Sequence, residues 1–220
     1  MTAPAMLDAA RRIEQAAVDR YAARFRQFGG SDPRTLGWDT RTHQWVRFRA
    51  VTELVDLRGR SVIDIGCGFA DLYAFLSESD IPVAGYLGVD INPILLEVAA
   101  GRFPQARYAR RNVLLEPYAE PVADVGVMLG LLNFRLDEVG NYEYAEAMIR
   151  AGLTATREGL VIDFLSADRT PEYPKEPAVF YYEPGRILQA GLSVTSSLVL
   201  KHDYPPIPQR EFMLFLRKTQ

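Results

Sequence analysis

The chain has 220 residues, 48% of them hydrophobic, with a formal net charge of −3, two histidines and one cysteine. That length suits one domain with a substantial core, and the charge carries no global basic footprint for nucleic acid. No window approaches ~18 uninterrupted apolar residues, the start lacks a signal-peptide core and carries Asp8, Glu14 and Asp19, and one cysteine excludes an intrachain disulfide, so a cytoplasmic protein is expected.

Residues 5–28 are expected to be helical. Leu7, Ala10, Ala17, Tyr21, Phe25 and Phe28 recur at three- and four-residue steps, with Arg11, Arg12, Arg20 and Arg24 on the other faces. Such a helix is read three ways: a lid over the active site, a homodimer contact, or packing on a sheet edge. Gly29-Gly30-Ser31-Asp32-Pro33 ends it and forms a candidate hinge. From Leu36 to Leu57, Trp38-Asp39 precedes a second helix with Trp45, Phe48, Val51, Leu54 and Val55 on its stripe. Gln44 and Arg47 border that stripe, and His43 lies at the helix start as a candidate base.

The most informative stretch is Ser61 to Asp71, SVIDIGCGFAD. Val62 to Ile65 reads as a buried central strand of a parallel sheet, broken only by Asp64. Gly66-Cys67-Gly68 forces a tight turn, and helical spacing resumes at Leu72 to Leu76. Strand, glycine loop and helix define a nucleotide-type site at a helix N-terminus. A dinucleotide fingerprint would need a third glycine where Asp71 stands, and it would set that carboxylate against a pyrophosphate. A phosphate-free, positively charged cofactor avoids the clash, and S-adenosylmethionine (SAM) is one. Val83 to Asp90 is a second strand ending in an acid, and Asp90 suits the two hydroxyls of one ribose. Asn92-Pro93 caps a helix from Ile94 to Ala100.

Asp64-Ile65-Gly66-Cys67-Gly68-Phe69-Ala70 resembles motif I of the class I SAM-dependent methyltransferases, with Ala70 in place of the last glycine. Asp90 resembles the family's ribose-binding acid, with Ile91 as the apolar neighbour of the adenine. The resemblance covers roughly residues 44 to 218. It implies an α/β, Rossmann-like seven-stranded sheet of order 3-2-1-4-5-7-6, its last strand antiparallel, with helices on both faces and an N-terminal helical extension. The implied division is an extension or lid over residues 1–40 and a methyltransferase domain over 41–220. In such a fold the helix with Gln44 starts beside the cofactor mouth, and Arg47 or Arg49 would meet the SAM carboxylate, because a guanidinium fork pairs with it bidentately.

Ala106 to Ala109 is the expected third strand. Asn112 follows where many SAM enzymes place an acid that accepts from the adenine amino group, and Val113 would touch the ring. Val122 to Leu129 is the fourth strand, running into Gly130-Leu131-Leu132-Asn133-Phe134. Ligands of open α/β sheets sit at the carboxyl ends of strands, so Leu129 to Phe134 borders the methyl-transfer centre. There is no Asn-Pro-Pro-Tyr-type motif here, no acid at this strand end for magnesium, and no metal site is expected. Asp137 to Ala151 reads as a helix and Leu160 to Leu165 as strand five. The loop from Ser166 to Pro184 has four prolines and four aromatics, among them Tyr181 and Tyr182, and reads as a wall of the acceptor pocket. A short helix at Pro184 to Ala190 precedes strands at Ser193 to Leu200 and Glu211 to Leu216, joined through Lys201-His202-Asp203-Tyr204-Pro205-Pro206.

The expected function is methyl transfer from SAM, which leaves S-adenosylhomocysteine (SAH), to an O or N atom of a small-molecule acceptor. The expected cofactor residues are Gln44, Arg47, Asp64, Gly66, Cys67, Gly68, Asp90, Ile91, Asn112, Val113 and Leu129. Those expected at the acceptor are Trp38, Asn133, Phe134, Tyr181 and Tyr182, with His43, His202 and Tyr181 as candidate bases. The alternatives are a macromolecular (RNA or protein) methyltransferase and a non-catalytic binding protein of the same fold. The partner expected is a small molecule, with neither membrane nor nucleic acid, and with a homodimer left open.

Overall fold

The computed structural model describes residues 3–30, 32–168, 176–203 and 211–219. The chain runs α1 (Ala3–Phe28), a 3-10 turn (Pro33–Leu36), α2 (Arg41–Leu54), β1 (Ser61–Ile65), α3 (Asp71–Glu78), β2 (Gly85–Asp90), α4 (Pro93–Arg102) and β3 (Arg107–Arg110). It continues with β4 (Ala123–Met128), α5 (Asn141–Thr154), β5 (Thr156–Leu165), α6 (Pro184–Leu192), β6 (Ser197–Lys201) and β7 (Glu211–Arg217).

The seven strands form one sheet of order β3-β2-β1-β4-β5-β7-β6. β1 pairs in parallel with β2 and β4, β2 with β3, and β4 with β5, whereas β7 is antiparallel to both β5 and β6. This is the expected topology, and alternation along the strands sends their side chains to both faces of the sheet. Leu160, Ile162, Phe164, Phe212, Leu214 and Leu216 face one core, which α1, α5 and α6 complete with Ala9, Ala10, Met148 and Ile187. Val125, Val127, Val161, Met213 and Phe215 face the other, closed by Phe48 and Val51 of α2 and Leu72 and Phe75 of α3. Both faces of the central strands are therefore covered, as parallel strands require.

Several boundaries differ from expectation. α5 starts at Asn141, not Asp137, because the Asn141 side chain is spent on the preceding turn: its Nδ2 donates to the Phe134 carbonyl (2.8 Å) and its Oδ1 accepts from the Leu136 amide (3.2 Å). β5 begins four residues early at Thr156, whose pairing with Ala123 is followed by a register shift that absorbs the polar start. β6 begins at Ser197, since Ser193 closes α6 and its hydroxyl bonds back to the Ala190 carbonyl (2.7 Å). The expected loop residues Pro171, Tyr173 and Pro174, and the expected turn residues Tyr204, Pro205 and Pro206, lie outside the described residues.

Candidate active site

The crossover at the carboxyl ends of β1, β2 and β4 opens a cavity of about 280 Å³, roofed by α1 and walled by the segments after β4. Its floor is the glycine loop. Gly66 and Gly68 have φ of +80° and +51°, a left-handed region that favours glycine. A Cβ on Gly66 would lie 2.7 Å from Leu131, and one on Gly68 would lie 2.9 Å from Leu36. Ala70, at the third motif position, also adopts a left-handed conformation (φ 59°, ψ 40°) and is fully buried. The loop is tied to β2 by the Gly66 and Cys67 amides, both donating to the Val89 carbonyl (2.7 and 3.1 Å).

Asp90 is the hinge-pin of this arrangement. Its Oδ2 accepts from the Gly68 amide (3.0 Å) and its Oδ1 from the Asn92 amide (2.8 Å), so one carboxylate joins the glycine loop to the start of α4. Burial pushes its pKa up, opposed by those backbone hydrogen bonds. Asp64 sits deeper. Burial pushes it up to about 7, although the Tyr86 hydroxyl donates to it at 2.5 Å. Burial also raises the thiol of Cys67 well above its ordinary value. Asp71 stands at the start of α3, where the helix dipole favours an acid, and accepts from Gln44 Nε2 (3.0 Å) and Arg102 (2.7 Å).

Of the residues expected from sequence to meet the cofactor, Gln44, Asp64, Gly66, Cys67, Gly68, Asp90, Ile91, Asn112, Val113 and Leu129 all border this cavity. Arg47 does not. Its guanidinium is buried and spent on Glu211, so its placement against a cofactor carboxylate is not what the geometry provides. Asn112 is partly committed too: its Oδ1 accepts from the Leu114 amide (3.0 Å), and its Nδ2 donates to Glu14 of α1 (2.9 Å).

On the acceptor side, Trp38, Phe134 and Tyr182 line the cavity, whereas Asn133, Tyr181, His43 and His202 do not. Tyr181 and Tyr182 show why. Tyr182 bridges to Ser166, is fully buried, and its hydroxyl donates to the Leu132 carbonyl (3.1 Å). Its neighbour then points away, and the Tyr181 hydroxyl accepts from the Glu176 amide instead (3.4 Å). His202 Nε2 meets the Ser166 hydroxyl (2.9 Å) beside the Phe212 ring, and His43 Nδ1 lies 3.4 Å from Asp39. Neither histidine is placed to take a proton inside the cavity.

The residues that sequence reasoning missed are mainly on α1. Glu14, Arg20 and Tyr21 face the cavity. The Arg20 guanidinium stacks 3.6 Å over the Phe134 ring, and burial beside Asp90 raises Tyr21. Asn92 Nδ2 donates to the Val18 carbonyl (3.4 Å). The sequence expectation sets Arg20 on the opposite face; the signal that corrects it is its step of three from Ala17, also on the lining. Among the described residues no group of three or more His, Cys, Asp or Glu is placed to hold a metal ion, and no helix is long and apolar enough to cross a membrane.

No protein-family model and no curated protein matches the chain. Solved structures do. The magnesium protoporphyrin IX methyltransferase ChlM from Synechocystis PCC 6803 with bound SAM superposes with a TM-score of 0.65 at 16% identity, over 94% of this chain and 97% of that one. A TehB-like SAM-dependent methyltransferase from Corynebacterium glutamicum gives 0.56 at 22% identity, over 93% and 100%. The small RNA methyltransferase HEN1 gives 0.60 at 16% identity, over 81% of this chain and 25% of that one. The fold is therefore that of the class I SAM-dependent methyltransferases, and at these identities the likeness is one of fold.

Proposed function

We propose that the chain is a SAM-dependent methyltransferase acting on an O or N atom of a small molecule. The observation that carries this reading is Asp90, whose carboxylate ties the Gly68 and Asn92 amides of the cavity floor together at the end of β2, where the hydroxyls of a ribose would meet it. The positive-φ glycines let an adenosine approach the backbone closely, and no phosphate needs to be accommodated beside Asp71. Asp64 and Asp71 suit the positive charge at the methionine end of the cofactor. Leu129, Ile91 and Val113 supply apolar contact.

SAM, when bound, supplies an already activated methyl group, so the protein's task is proximity and alignment. Trp38, Phe134 and Tyr182 form the acceptor wall, and the roof made by α1 excludes water. That roof favours a small acceptor over a macromolecule. Among the described lining residues there is no histidine or lysine, and burial pushes Tyr144 up to about 12, so it holds its proton at neutral pH. The site thus suits an acceptor atom that is nucleophilic without a strong protein base.

The test is calorimetric titration with SAH, with NAD as the parallel control. Saturable one-site binding of SAH alone is expected. Binding of NAD instead of SAH would overturn the reading.

A further inference from the structure

Two acids inside the sheet are not used by the cofactor reading. Asp163 and Glu211 are 2% and 3% exposed. Antiparallel pairing sets Asp163 opposite Met213 and Glu211 opposite Leu165, so the acids are diagonal neighbours on one face. Arg47 of α2 grips Glu211 through Nε (2.6 Å) and a second nitrogen, and its third donor goes to the His43 carbonyl (2.6 Å). Asp163 accepts instead from the Gly130 amide (2.7 Å). Gly130 has a φ of +71°, and a Cβ there would lie 3.1 Å from the Trp38 ring. The Arg47 guanidinium lies 4.5 Å from that ring's centroid.

These contacts close a circuit. Glu211 holds Arg47, Arg47 covers Trp38, Trp38 packs on Gly130, and Gly130 hangs on Asp163, which faces Glu211. Trp38 and Gly130 line the cavity, whereas the three charged residues stand behind it. Stability is a poor reason for such an arrangement, since apolar side chains of similar volume commonly stabilise a core as well as a buried ion pair does.

We propose that Arg47, Glu211 and Asp163 are positioning residues that clamp Trp38 and Gly130 at the methyl-transfer end of the cavity and thereby set the alignment of cofactor and acceptor. This rests on the methyltransferase reading above. Asp163 meets the Gly130 amide through one accepting oxygen, so the contact calls for an acceptor at that position; burial, with Glu211 beside it, pushes the Asp163 carboxyl up to about 7.

The experiment uses SAH calorimetry and, in a Trp45→Phe background that leaves Trp38 as the only tryptophan, its fluorescence. The variants are the double substitution Arg47→Met with Glu211→Met, Asp163→Leu, and Asp163→Asn. The double variant is expected to unfold no lower than Arg47→Met alone, yet to bind SAH roughly tenfold more weakly than the parent and to shift Trp38 emission to the red. Asp163→Leu is expected to behave likewise. Asp163→Asn keeps the acceptor oxygen and is expected to rescue both readouts, with affinity within about twofold of the parent. Parent-like affinity and unmoved emission in the double variant would overturn the clamp, as would equal damage from Asn and Leu at 163. Should Asp163→Leu fail to fold, the double variant and Asp163→Asn decide. If the parent itself binds no SAH, the methyltransferase reading fails, while the Trp38 emission still reports on the clamp.

Discussion

The two sides of the cavity are built differently. The glycine-loop side comes from residues 61–92, one strand-loop-helix-strand unit, and its key contacts are backbone amides donating to Asp90 and Val89. The other side is assembled from α1, the 3-10 turn and the segments after β4 and β5; backbone hydrogen bonds join the last two, the Arg135 amide to the Ala178 carbonyl and the Phe180 amide to the Asn133 carbonyl (2.9 and 3.0 Å), whereas α1 is joined to its neighbours by side chains. The first side tolerates little substitution because backbone groups cannot be moved independently. On the second, the α1 contacts of Glu14 and Arg20 are made by side chains that can be changed one at a time.

Asp90→Ala is the change expected to separate the two sides most strongly. It removes the proposed ribose acceptor and leaves the buried Gly68 and Asn92 amides without their carboxylate, so SAH affinity should fall on the order of a hundredfold by calorimetry. The matching change across the cavity, Phe134→Ala, removes the platform under Arg20 and should leave SAH affinity within about threefold. Equal losses would abolish the distinction. Gly66→Ala comes next. It meets Leu131 at a position with φ +80°, and thermal unfolding should drop by several degrees with roughly tenfold weaker SAH binding.

A pH effect should follow from Asp64. Its folded pKa, about 7, lies above its unfolded value, so its contribution to the stability of the ligand-free protein is fully present below about pH 4 and is lost as pH rises through 7. A cofactor with a positive amino group favours the ionised acid, so SAH should bind more tightly at pH 8 than at pH 6, by up to about tenfold. Asp64→Asn should flatten that dependence; a parallel slope in this variant would assign it to another group. The smallest effect expected is a gain. Ala70→Gly relieves a left-handed alanine at the cost of one buried methyl, and should raise stability by up to about 1 kcal/mol in denaturant unfolding. A loss would mean that the methyl packing outweighs the strain.

The same contrast governs what could be read from sequence. Asp64, Gly66, Gly68 and Asp90 were legible because each acts within a few residues of a turn, where spacing alone constrains the backbone. The strand order followed from the resemblance and agrees with the alternation of Val161 with Leu160 and Ile162 between the two cores. Sequence alone sets Arg47 beside the cofactor, because its partner Glu211 is 164 residues away and opens an apolar strand with no local signal. Tyr181 and Tyr182 differ only in strand parity, and nothing short of the Ser166 bridge decides which faces inward. Arg20 reads as a solvated helix face until Phe134 is seen beneath it.

The placement of β7 between β5 and β6 bears on how the protein is made. Synthesis proceeds from the N-terminus, and most of a domain can organise before its end appears. Here the strand that supplies Glu211 follows both of its sheet neighbours, β5 and β6, in sequence. A nascent or truncated chain that stops after β6 therefore has a complete glycine loop and Asp90, but β5 lacks its antiparallel partner and Arg47 its counter-charge. Translation of β7 is the event that completes the Arg47–Glu211 contact behind Trp38, so a chain cut before it would display the glycine loop and Asp90 with Arg47 unpaired.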